Sequence, residues 1–179
     1  SVDFTRKILF GEEVFGIDNK AKWKIGVKGV AEGQILYNDL ETLIYSFGTR
    51  FDPIMYGRGD LVLVIEELDI DKSSLQRQID IIFSHKRKDR IKGLVVGRLV
   101  NVKEVSYPVW GRKLTPQDVV MGRVKRQGIP VAFCDDLGHL EGKFFANRRF
   151  ISLPNGIKSR LTVDDKTCQL QFLESICQV

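Results

Sequence analysis

The sequence predicts a mixed α/β domain in which a β-rich layer or barrel carries helices on its outside. Two apolar runs, a continuous one at residues 61–65 and a largely apolar one at residues 91–100, are typical of buried strands. Apolar residues at helical spacing lie between the runs, so strands and helices alternate in the middle of the chain. Alternating patterns broken by turn residues occupy both ends of the chain, and these patterns indicate hairpins.

The first part of the chain leads from a weakly patterned segment into β structure. Residues 1–20 carry apolar positions interrupted by glycine. Residues 23–36 alternate loosely, which predicts two short strands joined by a turn at residues 31–33. Asn38 or Asp39 is a suitable N-cap for a helix that Gly48 then ends. The predicted apolar face of this helix consists of Leu40, Leu43, Ile44 and Phe47.

The most informative stretch is the strand at residues 61–65, because it ends directly in two carboxylates, Glu66 and Glu67. Residues 52–59 before it have the composition of a loop. Charged groups at the carboxyl end of a buried strand lie at the rim of the core, where open α/β sheets often bind ligands.

Helix start signals lie on both sides of the strand at residues 91–100. Asp71 or Ser73 caps the earlier helix. Its apolar face consists of Leu75, Ile79, Ile82 and Phe83. The Thr-Pro-Gln-Asp sequence at residues 115–118 starts the later helix, with threonine as the cap, proline at the first position and aspartate at the third.

The last part of the chain reads as β structure. A strand at residues 129–134 follows the second of these helices. Three further strands with turns between them are predicted at residues 149–153, 159–163 and 167–173.

The composition suits one domain or slightly more, since the chain has 179 residues. The net charge is +5, but the cations are spread out except at residues 86–90, which we interpret as a solvated helix end without interleaved aromatic residues. We therefore expect no nucleic-acid partner. No apolar run reaches the ~18 residues of a membrane span, and we expect no membrane association. The three cysteines lack metal-ligand spacing and indicate reduced thiols in a cytoplasmic protein.

The candidate chemistry rests on Glu66 and His139. Glu66 ends the strand at residues 61–65, and His139 follows Gly138 in the loop beyond the strand at residues 129–134. If the two strands are neighbours in one sheet, the carboxylate can hydrogen-bond to the imidazole. Such a pair is the orienting half of a nucleophilic triad. The alternative, two unrelated polar residues at strand ends, stays open at this point.

Other candidate chemistries have weaker support in the sequence. His85 stands beside Lys86 near a helix end and is expected at the surface. No second His or Cys stands at ligand spacing from His139, so a metal site is not expected. No serine occurs in a Gly-x-Ser-x-Gly elbow, and Cys134 is expected to pack within its strand. The sequence therefore shows no recognisable nucleophile.

A series of short motifs resembles one known family. They occur in the family's order at residues 29–36, 39–43, 47–49, 63–67, 91–98, 128–131, 138–139 and 153–156. The most specific are the strand ending in Glu66, the Ile-Lys-Gly-Leu-Val-Val-Gly-Arg strand, and Gly-His followed by Leu-Pro-Asn-Gly. Over roughly residues 22–173 the chain resembles the C-terminal domain of the LD-carboxypeptidase family, which includes the microcin C self-immunity serine peptidases.

The resemblance implies a fold and a mechanism. Family members use a Ser-His-Glu triad, and their C-terminal domain is a mixed β-barrel with flanking helices of the swivelling β/β/α type. Glu66 matches the family's glutamate and His139 its histidine, while the serine comes from an N-terminal α/β domain. Residues 22–179 are then expected to form the C-terminal domain and residues 1–21 a lead-in or linker from a missing nucleophile domain. This chain by itself is accordingly expected to be inactive.

The resemblance also implies partners. The expected substrate is a peptide or amide, either a murein tetrapeptide with a terminal D-amino acid or a peptidyl-nucleotide antibiotic, and no metal or organic cofactor is expected. We expect Glu67, Asp39 and Asp136 to bind substrate, with Asp135 as an alternative to Asp136. For Glu67, Asp135 and Asp136, shaping the loop is the alternative role. Family members are often dimers, so a homodimer is a possible assembly.

The sequence departs from the family pattern in two places, and the first departure favours a rival hypothesis. Tyr37-Asn38-Asp39-Leu40 stands where the family usually carries Gly-Gly-Asn-Leu, which puts substrate preference or activity in doubt. The stretch at residues 141–149 is longer than usual and rich in Phe and Arg, so it is expected to line a pocket, form a dimer contact or make a surface hairpin. The rival is a non-catalytic peptide-binding or assembly domain that keeps the fold.

Overall fold

The computed structural model of the protein describes residues 6–7, 16–104, 113–139 and 151–175. The strands are β1 (Gly16–Ile17), β2 (Trp23–Val27), β3 (Gly29–Asp39), β4 (Leu61–Leu68), β5 (Ile91–Val100), β6 (Val131–Cys134), β7 (Lys158–Val163) and β8 (Cys168–Phe172). The helices with described ends are α1 (Leu40–Ser46), α2 (Pro53–Tyr56), α3 (Lys72–Ser84) and α4 (Pro116–Val124), and a 3-10 turn covers Lys88–Arg90.

All of the strands listed above join one mixed sheet in the order β1-β8-β7-β3-β4-β5-β6-β2. The neighbours from β3 to β6 run parallel, whereas β1, β2, β7 and β8 pair antiparallel with their neighbours. The predicted mixed α/β fold with flanking helices is confirmed. The described strands at the two ends of the row, β1 and β2, do not pair with each other, so a closed barrel is not confirmed.

The sheet separates two hydrophobic clusters. Along β4 the side chains of Leu61, Leu63 and Ile65 pack with the helices, while Val62 and Val64 face a cluster formed with β7 and β8. Both faces of this strand are thus covered, which explains its continuous apolar sequence. Each buried Val, Leu or Ile side chain contributes about 1.5–3 kcal/mol to folding.

Helices begin where the sequence predicts them. Asp39 caps α1 by accepting a hydrogen bond from the Thr42 N–H, and Asp71 caps α3. Thr115 and Asp118 form a reciprocal capping box at the start of α4. These starts are confirmed because an N-cap satisfies backbone donors a few residues away and needs no distant partner.

Two local predictions are wrong. The strand β3 continues through residues 31–33, where a turn was expected. Gly33 there lies against the next strand, and a Cβ atom on it would come within 2.7 Å of the Leu61 backbone, so this glycine permits close strand contact. Residues 52–59 are not all loop, because Asp52 caps the short helix α2.

The structure describes the last residues of the predicted lead-in, 16–21, but not the long stretch at residues 141–149. At the end of the lead-in, β1 pairs with β8, and Ile17 and Ala21 are buried. The Phe- and Arg-rich stretch at residues 141–149 and the start of the strand predicted at 149–153 lie outside the described residues, and residues 151–153 are not a strand. In the described part of the chain, no helix is long and apolar enough to cross a membrane.

Candidate active site

The candidate site lies at the carboxyl ends of the parallel strands. Asp39 at the end of β3 is the register partner of Glu66 near the end of β4. His139 lies in the loop that leaves β6 at Cys134. The two strands are not neighbours in the sheet, because β5 lies between β4 and β6. The loop after β6 instead passes the end of β5, where the Arg98 N–H donates to the Leu137 carbonyl at 2.8 Å.

This path brings His139 onto Glu66. The imidazole Nδ1 lies 2.8 Å from the Glu66 carboxylate Oε2, and the His139 backbone N–H donates to the same oxygen at 3.1 Å. The Glu66 side chain is 6% exposed, whereas that of His139 is 52% exposed. The hydrogen bond to Glu66 raises the pKa of His139 above its ordinary value of 6.5. Burial opposes this change, and the charges of Glu66 and Asp39 support it.

Gly138 permits the approach of this loop to Glu66. Its φ of 95° lies in a region that residues with a side chain rarely adopt. A Cβ atom at this position would come within 2.8 Å of the Glu66 Cβ atom and 3.0 Å of Oε2. The glycine of the Gly-His motif is therefore required both by the backbone conformation and by the contact with the carboxylate.

Two residues beside the pair are not predicted as site residues by the sequence. The buried Arg98 donates from Nη1 to the Gly138 carbonyl at 2.9 Å. Burial, together with the charge of Glu66, raises the pKa of Tyr37 to about 12, so its phenol stays protonated at neutral pH. Tyr37 draws attention in the sequence only as a departure from the family pattern. Arg98 is the last residue of the strand motif at residues 91–98. The direction of its side chain depends on an irregularity in strand pairing that the sequence does not reveal.

The Leu-Pro-Asn-Gly turn is joined to the site through the backbone of Tyr37. The Tyr37 N–H donates to Asn155 Oδ1 at 2.5 Å, and Asn155 Nδ2 donates to the Tyr37 carbonyl at 3.0 Å. The asparagine side chain thus satisfies both backbone groups of Tyr37, much as a neighbouring strand does. This motif has a structural role that holds the end of β3 in place.

The structure places the other predicted residues apart from the pair. Glu67 is 3% exposed and accepts a hydrogen bond from the Leu68 N–H at 2.9 Å. Burial raises the pKa of Glu67 to about 7. Asp136 is 2% exposed and accepts a hydrogen bond from the Lys22 N–H at 3.1 Å, and Asp135 forms an ion pair with Lys24. Among the predicted substrate-binding residues, Asp39 is the one gathered with Glu66 and His139.

Asp39, Glu66 and His139 also form a set of potential metal ligands, with one ligand atom of each within 4.8 Å of the others. A carboxylate–carboxylate–imidazole set suits a divalent transition metal. In the structure, however, Nδ1 and Oε2 are bonded to each other, and Asp39 Oδ1 accepts from the Thr42 N–H. Metal binding through these atoms requires breaking hydrogen bonds that the site already makes, so the geometry fits an oriented imidazole better.

The nearby Cys134 does not supply a nucleophile. It is fully buried, and burial raises the pKa of its thiol to about 12. Because the thiolate is the reactive form of cysteine, Cys134 is inert at neutral pH, as the prediction of a packing role requires. What the described site offers is an imidazole whose tautomer is set by a buried carboxylate and whose ring is half-exposed to an incoming group.

The comparison with known families agrees with this geometry. The family model for the LD-carboxypeptidase C-terminal domain matches residues 32–161, which is more than half of the chain and includes both members of the pair.

The chain belongs to this family.

Solved structures of similar fold include the microcin C7 self immunity protein MccF, with a TM-score of 0.68, 20% identity, and coverage of 88% of this chain and 43% of that chain. The muramoyltetrapeptide carboxypeptidase from Oxalobacter formigenes has a TM-score of 0.72 and 17% identity, with coverage of 97% of this chain and 55% of that chain. An MccF-like protein from Bacillus anthracis has a TM-score of 0.62 and 18% identity, with coverage of 84% and 42%.

The chain spans about half the length of these solved relatives. Because the sequence identity to these structures is 17–20%, the structural similarity establishes the fold alone. No curated protein sequence matches the chain.

Proposed function

We propose that this chain is the Glu- and His-bearing part of a serine carboxypeptidase-type hydrolase, whose nucleophilic serine is supplied by a separate N-terminal domain. The observation that carries the proposal is the 2.8 Å contact between His139 Nδ1 and Glu66 Oε2. A carboxylate in this position keeps the proton on Nδ1 and leaves Nε2 as the basic atom. No described residue hydrogen-bonds to Nε2, and the ring is 52% exposed.

The mechanism follows from this tautomer. His139 Nε2 accepts the proton of the serine hydroxyl while the serine oxygen attacks the substrate carbonyl. Glu66 stabilises the imidazolium that results. His139 then donates the same proton to the leaving amine, and the acyl group stays on the serine. In the second half of the reaction, a water molecule attacks the acyl group in place of the serine. His139 acts first as base toward this water and then as acid toward the departing serine oxygen.

The substrate class is a peptide or amide. Family membership supports this class. Two relatives indicate which substrates belong to it: one is a muramoyltetrapeptide carboxypeptidase, and another, MccF, has been solved in complex with glutamyl sulfamoyl guanosine. We propose a murein tetrapeptide or a peptidyl-nucleotide antibiotic as substrate. Asp39 is the candidate for contact with substrate, since it lies beside the pair and is only partly buried. A cytoplasmic location is supported by the buried free thiols of Cys134 and Cys168.

A non-catalytic peptide-binding or assembly role is the second candidate, and one observation favours it. Tyr37 places a bulky, partly buried phenol beside Glu66 and Gly138, where the family pattern has glycine. A ring in this position reduces the space for substrate next to His139. This alternative does not require the Glu66–His139 contact, whereas the hydrolase does, and the contact therefore favours the hydrolase.

The test is reconstitution. The chain alone and the chain joined to the N-terminal part of the Oxalobacter formigenes relative are assayed for release of the terminal D-amino acid from a murein tetrapeptide and for cleavage of an aminoacyl sulfamoyl nucleoside. We expect no turnover by the chain alone. We expect turnover by the joined protein that falls by at least about 10³-fold in His139→Ala.

Glu32→Ala, which removes an exposed carboxylate ion-paired with Arg160, is the matched control and should leave turnover unchanged. Turnover that survives in His139→Ala overturns the mechanism. A correctly folded joined protein that binds these ligands without cleaving them supports the binding role instead.

A further inference from the structure

Arg98 lies where β5 departs from regular pairing with β4. Two residues of β5, Gly97 and Arg98, stand opposite the single residue Glu66, because the register shifts between Ile65 and Glu67. An extra residue of this kind is a β-bulge, and bulges beside active sites often redirect a side chain. Arg98 is 7% exposed, which is unusual for a charged residue and requires polar partners.

The partners of Arg98 include two consecutive carbonyl groups of the loop that carries His139. Its backbone N–H donates to the Leu137 carbonyl at 2.8 Å, and its guanidinium Nη1 donates to the Gly138 carbonyl at 2.9 Å. A buried hydrogen bond from a guanidinium to a carbonyl is charge-assisted and stronger than a neutral one. Arg98 therefore attaches the loop to the end of β5 immediately before the histidine.

The position of this loop determines whether the pair can form. Glu66 Oε2 receives both the backbone N–H and the ring Nδ1 of His139, so the backbone and the ring must be placed together. A displacement of the Gly138 peptide by about one ångström away from Glu66 would lengthen both contacts beyond hydrogen-bonding distance. No strand pairing links β6 directly to β4, because β5 lies between them.

We propose that Arg98 is a positioning residue for the hydrolase: through the Gly138 carbonyl it holds the loop at the place where the His139 ring meets Glu66. The inference rests on the proposed function. Arg98 acts through the loop, and no contact between Arg98 and substrate is required.

The chain contains a matched control for this role. Arg90 is 3% exposed and also donates to backbone carbonyls, with Nε 2.7 Å from the Gly59 oxygen and Nη1 bonded to the Ile54 oxygen. It lies directly before β5 begins at Ile91, whereas Arg98 lies near the other end of the strand. Substitution of either arginine removes a buried cation that binds carbonyl groups, but only Arg98 touches the loop of His139.

The experiment compares Arg98→Gln, Arg98→Lys and Arg90→Gln in this chain, with the histidine rings labelled with ¹⁵N. The readouts are the Nδ1–H resonance of His139, the pKa of His139 by NMR titration, and urea unfolding. For Arg98→Gln we expect loss of the Nδ1–H resonance through exchange with water and a pKa of His139 that moves down toward 6.5. Arg98→Lys, which keeps a donor, should restore part of both signals. Arg90→Gln should lower stability and leave both signals unchanged.

The sign of the pKa change separates positioning from simple charge loss. Removal of a nearby cation, with the pair intact, favours the imidazolium and would raise the pKa of His139. Loss of the hydrogen bond to Glu66 lowers it. A raised pKa with an intact Nδ1–H resonance, or no change of either signal in folded Arg98→Gln, overturns the proposal.

A measurement on the unsubstituted chain covers the case in which Arg98→Gln does not fold. A guanidinium held on the Gly138 carbonyl should show slow rotation and separate Nη resonances, and a freely rotating Arg98 guanidinium overturns the proposal. None of these readouts requires catalysis. Failure of the Arg98 inference is therefore distinguishable from failure of the hydrolase proposal, which the His139→Ala assay tests.

Discussion

Glu66 and Glu67 are consecutive in the chain, but their side chains lie on opposite faces of the sheet. Glu66 follows Val62 and Val64 on the side of β7 and β8 and binds His139 there. Glu67 follows Leu61, Leu63 and Ile65 on the helical side and is influenced by Glu41 at the start of α1. The strand alternation of period two therefore assigns the two carboxyl groups to different surroundings.

Replacing Glu66 with Gln should lower the pKa of His139. The hydrogen bond and charge of Glu66 favour the imidazolium, and glutamine carries no charge. Because the folded-state pKa of His139 is raised, the stabilisation by this pair is fully present below the unfolded-state pKa. It is lost as the pH rises through the folded-state value. An NMR titration of His139 measures the change, with Glu32→Gln as the control, and an unaltered pKa in Glu66→Gln would contradict the pairing.

Gly138→Ala should destabilise the fold by about 3 kcal/mol or more and separate the pair, because strain at positive φ adds to the contact with Glu66. Gly128 is the matched control: its φ is 71°, and nothing lies within 4 Å of a Cβ atom added there. Gly128→Ala should cost only about 1 kcal/mol. Urea unfolding gives both values. Equal losses for the two variants would show that packing against Glu66 does not matter.

Glu67→Gln should stabilise the protein above neutral pH. Burial raises the pKa of Glu67 to about 7, so the folded state holds a proton that the unfolded state releases near its ordinary pKa of 4.5. Stability therefore falls as the pH rises from 4.5 to 7, by up to about 3 kcal/mol for this group. Glutamine has nearly the same shape as glutamate but no group that titrates in this pH range. Unfolding at pH 5 and pH 8 should show a difference from the unsubstituted chain that grows with pH, and a constant difference would refute the expectation.

The Asp52→Ala substitution should lower the free energy of unfolding by about 3 kcal/mol or more, because it removes both a helix cap and one partner of a buried pair. The carboxylate is 1% exposed, caps α2, and binds His85 Nε2 at 3.0 Å. Burial works against ionisation, yet hydrogen bonds from the Met55 N–H, His85 and the Gly48 N–H hold the pKa of Asp52 below its ordinary value. The stability it provides is therefore present above the unfolded-state pKa and lost as the pH falls through the folded-state value.

Unfolding in urea at pH 7 checks the size of this loss. Asp52→Asn retains a capping oxygen and should lose less. Both variants lose the hydrogen bond from His85 Nε2 to Oδ2, so the difference between them measures the cap on Oδ1. A loss for Asp52→Ala as small as that for Asp52→Asn would mean that the capping hydrogen bonds contribute nothing.

This Asp52 pair corrects one expectation about His85. The side chain of His85 is only 10% exposed, not on the surface, because it lies between Asp52 and the ring of Phe47. Neighbours in the chain, including Lys86, favour an exposed position. The partner is 33 residues away, and no local pattern predicts a contact over that distance.

The helix caps at Asp39, Asp71 and Thr115 could be predicted because their partners lie within three residues. The full length of β3 could not, because its continuation past residue 33 depends on close contact with Leu61 of another strand. Contacts between residues a few positions apart can be predicted from the sequence. Contacts between distant segments depend on how the whole sheet assembles.

The sequence by itself determined which segments become buried strands and helices, since apolar spacing selects their period. It also placed Glu66 at the end of one such strand and His139 in the loop after another. Only the tertiary structure decided that these residues, 73 positions apart, meet at 2.8 Å. The meeting depends on the order β4-β5-β6 and on the path of the loop past Arg98. Strand order and loop path are set by the free energy of packing the whole chain, which no single segment encodes.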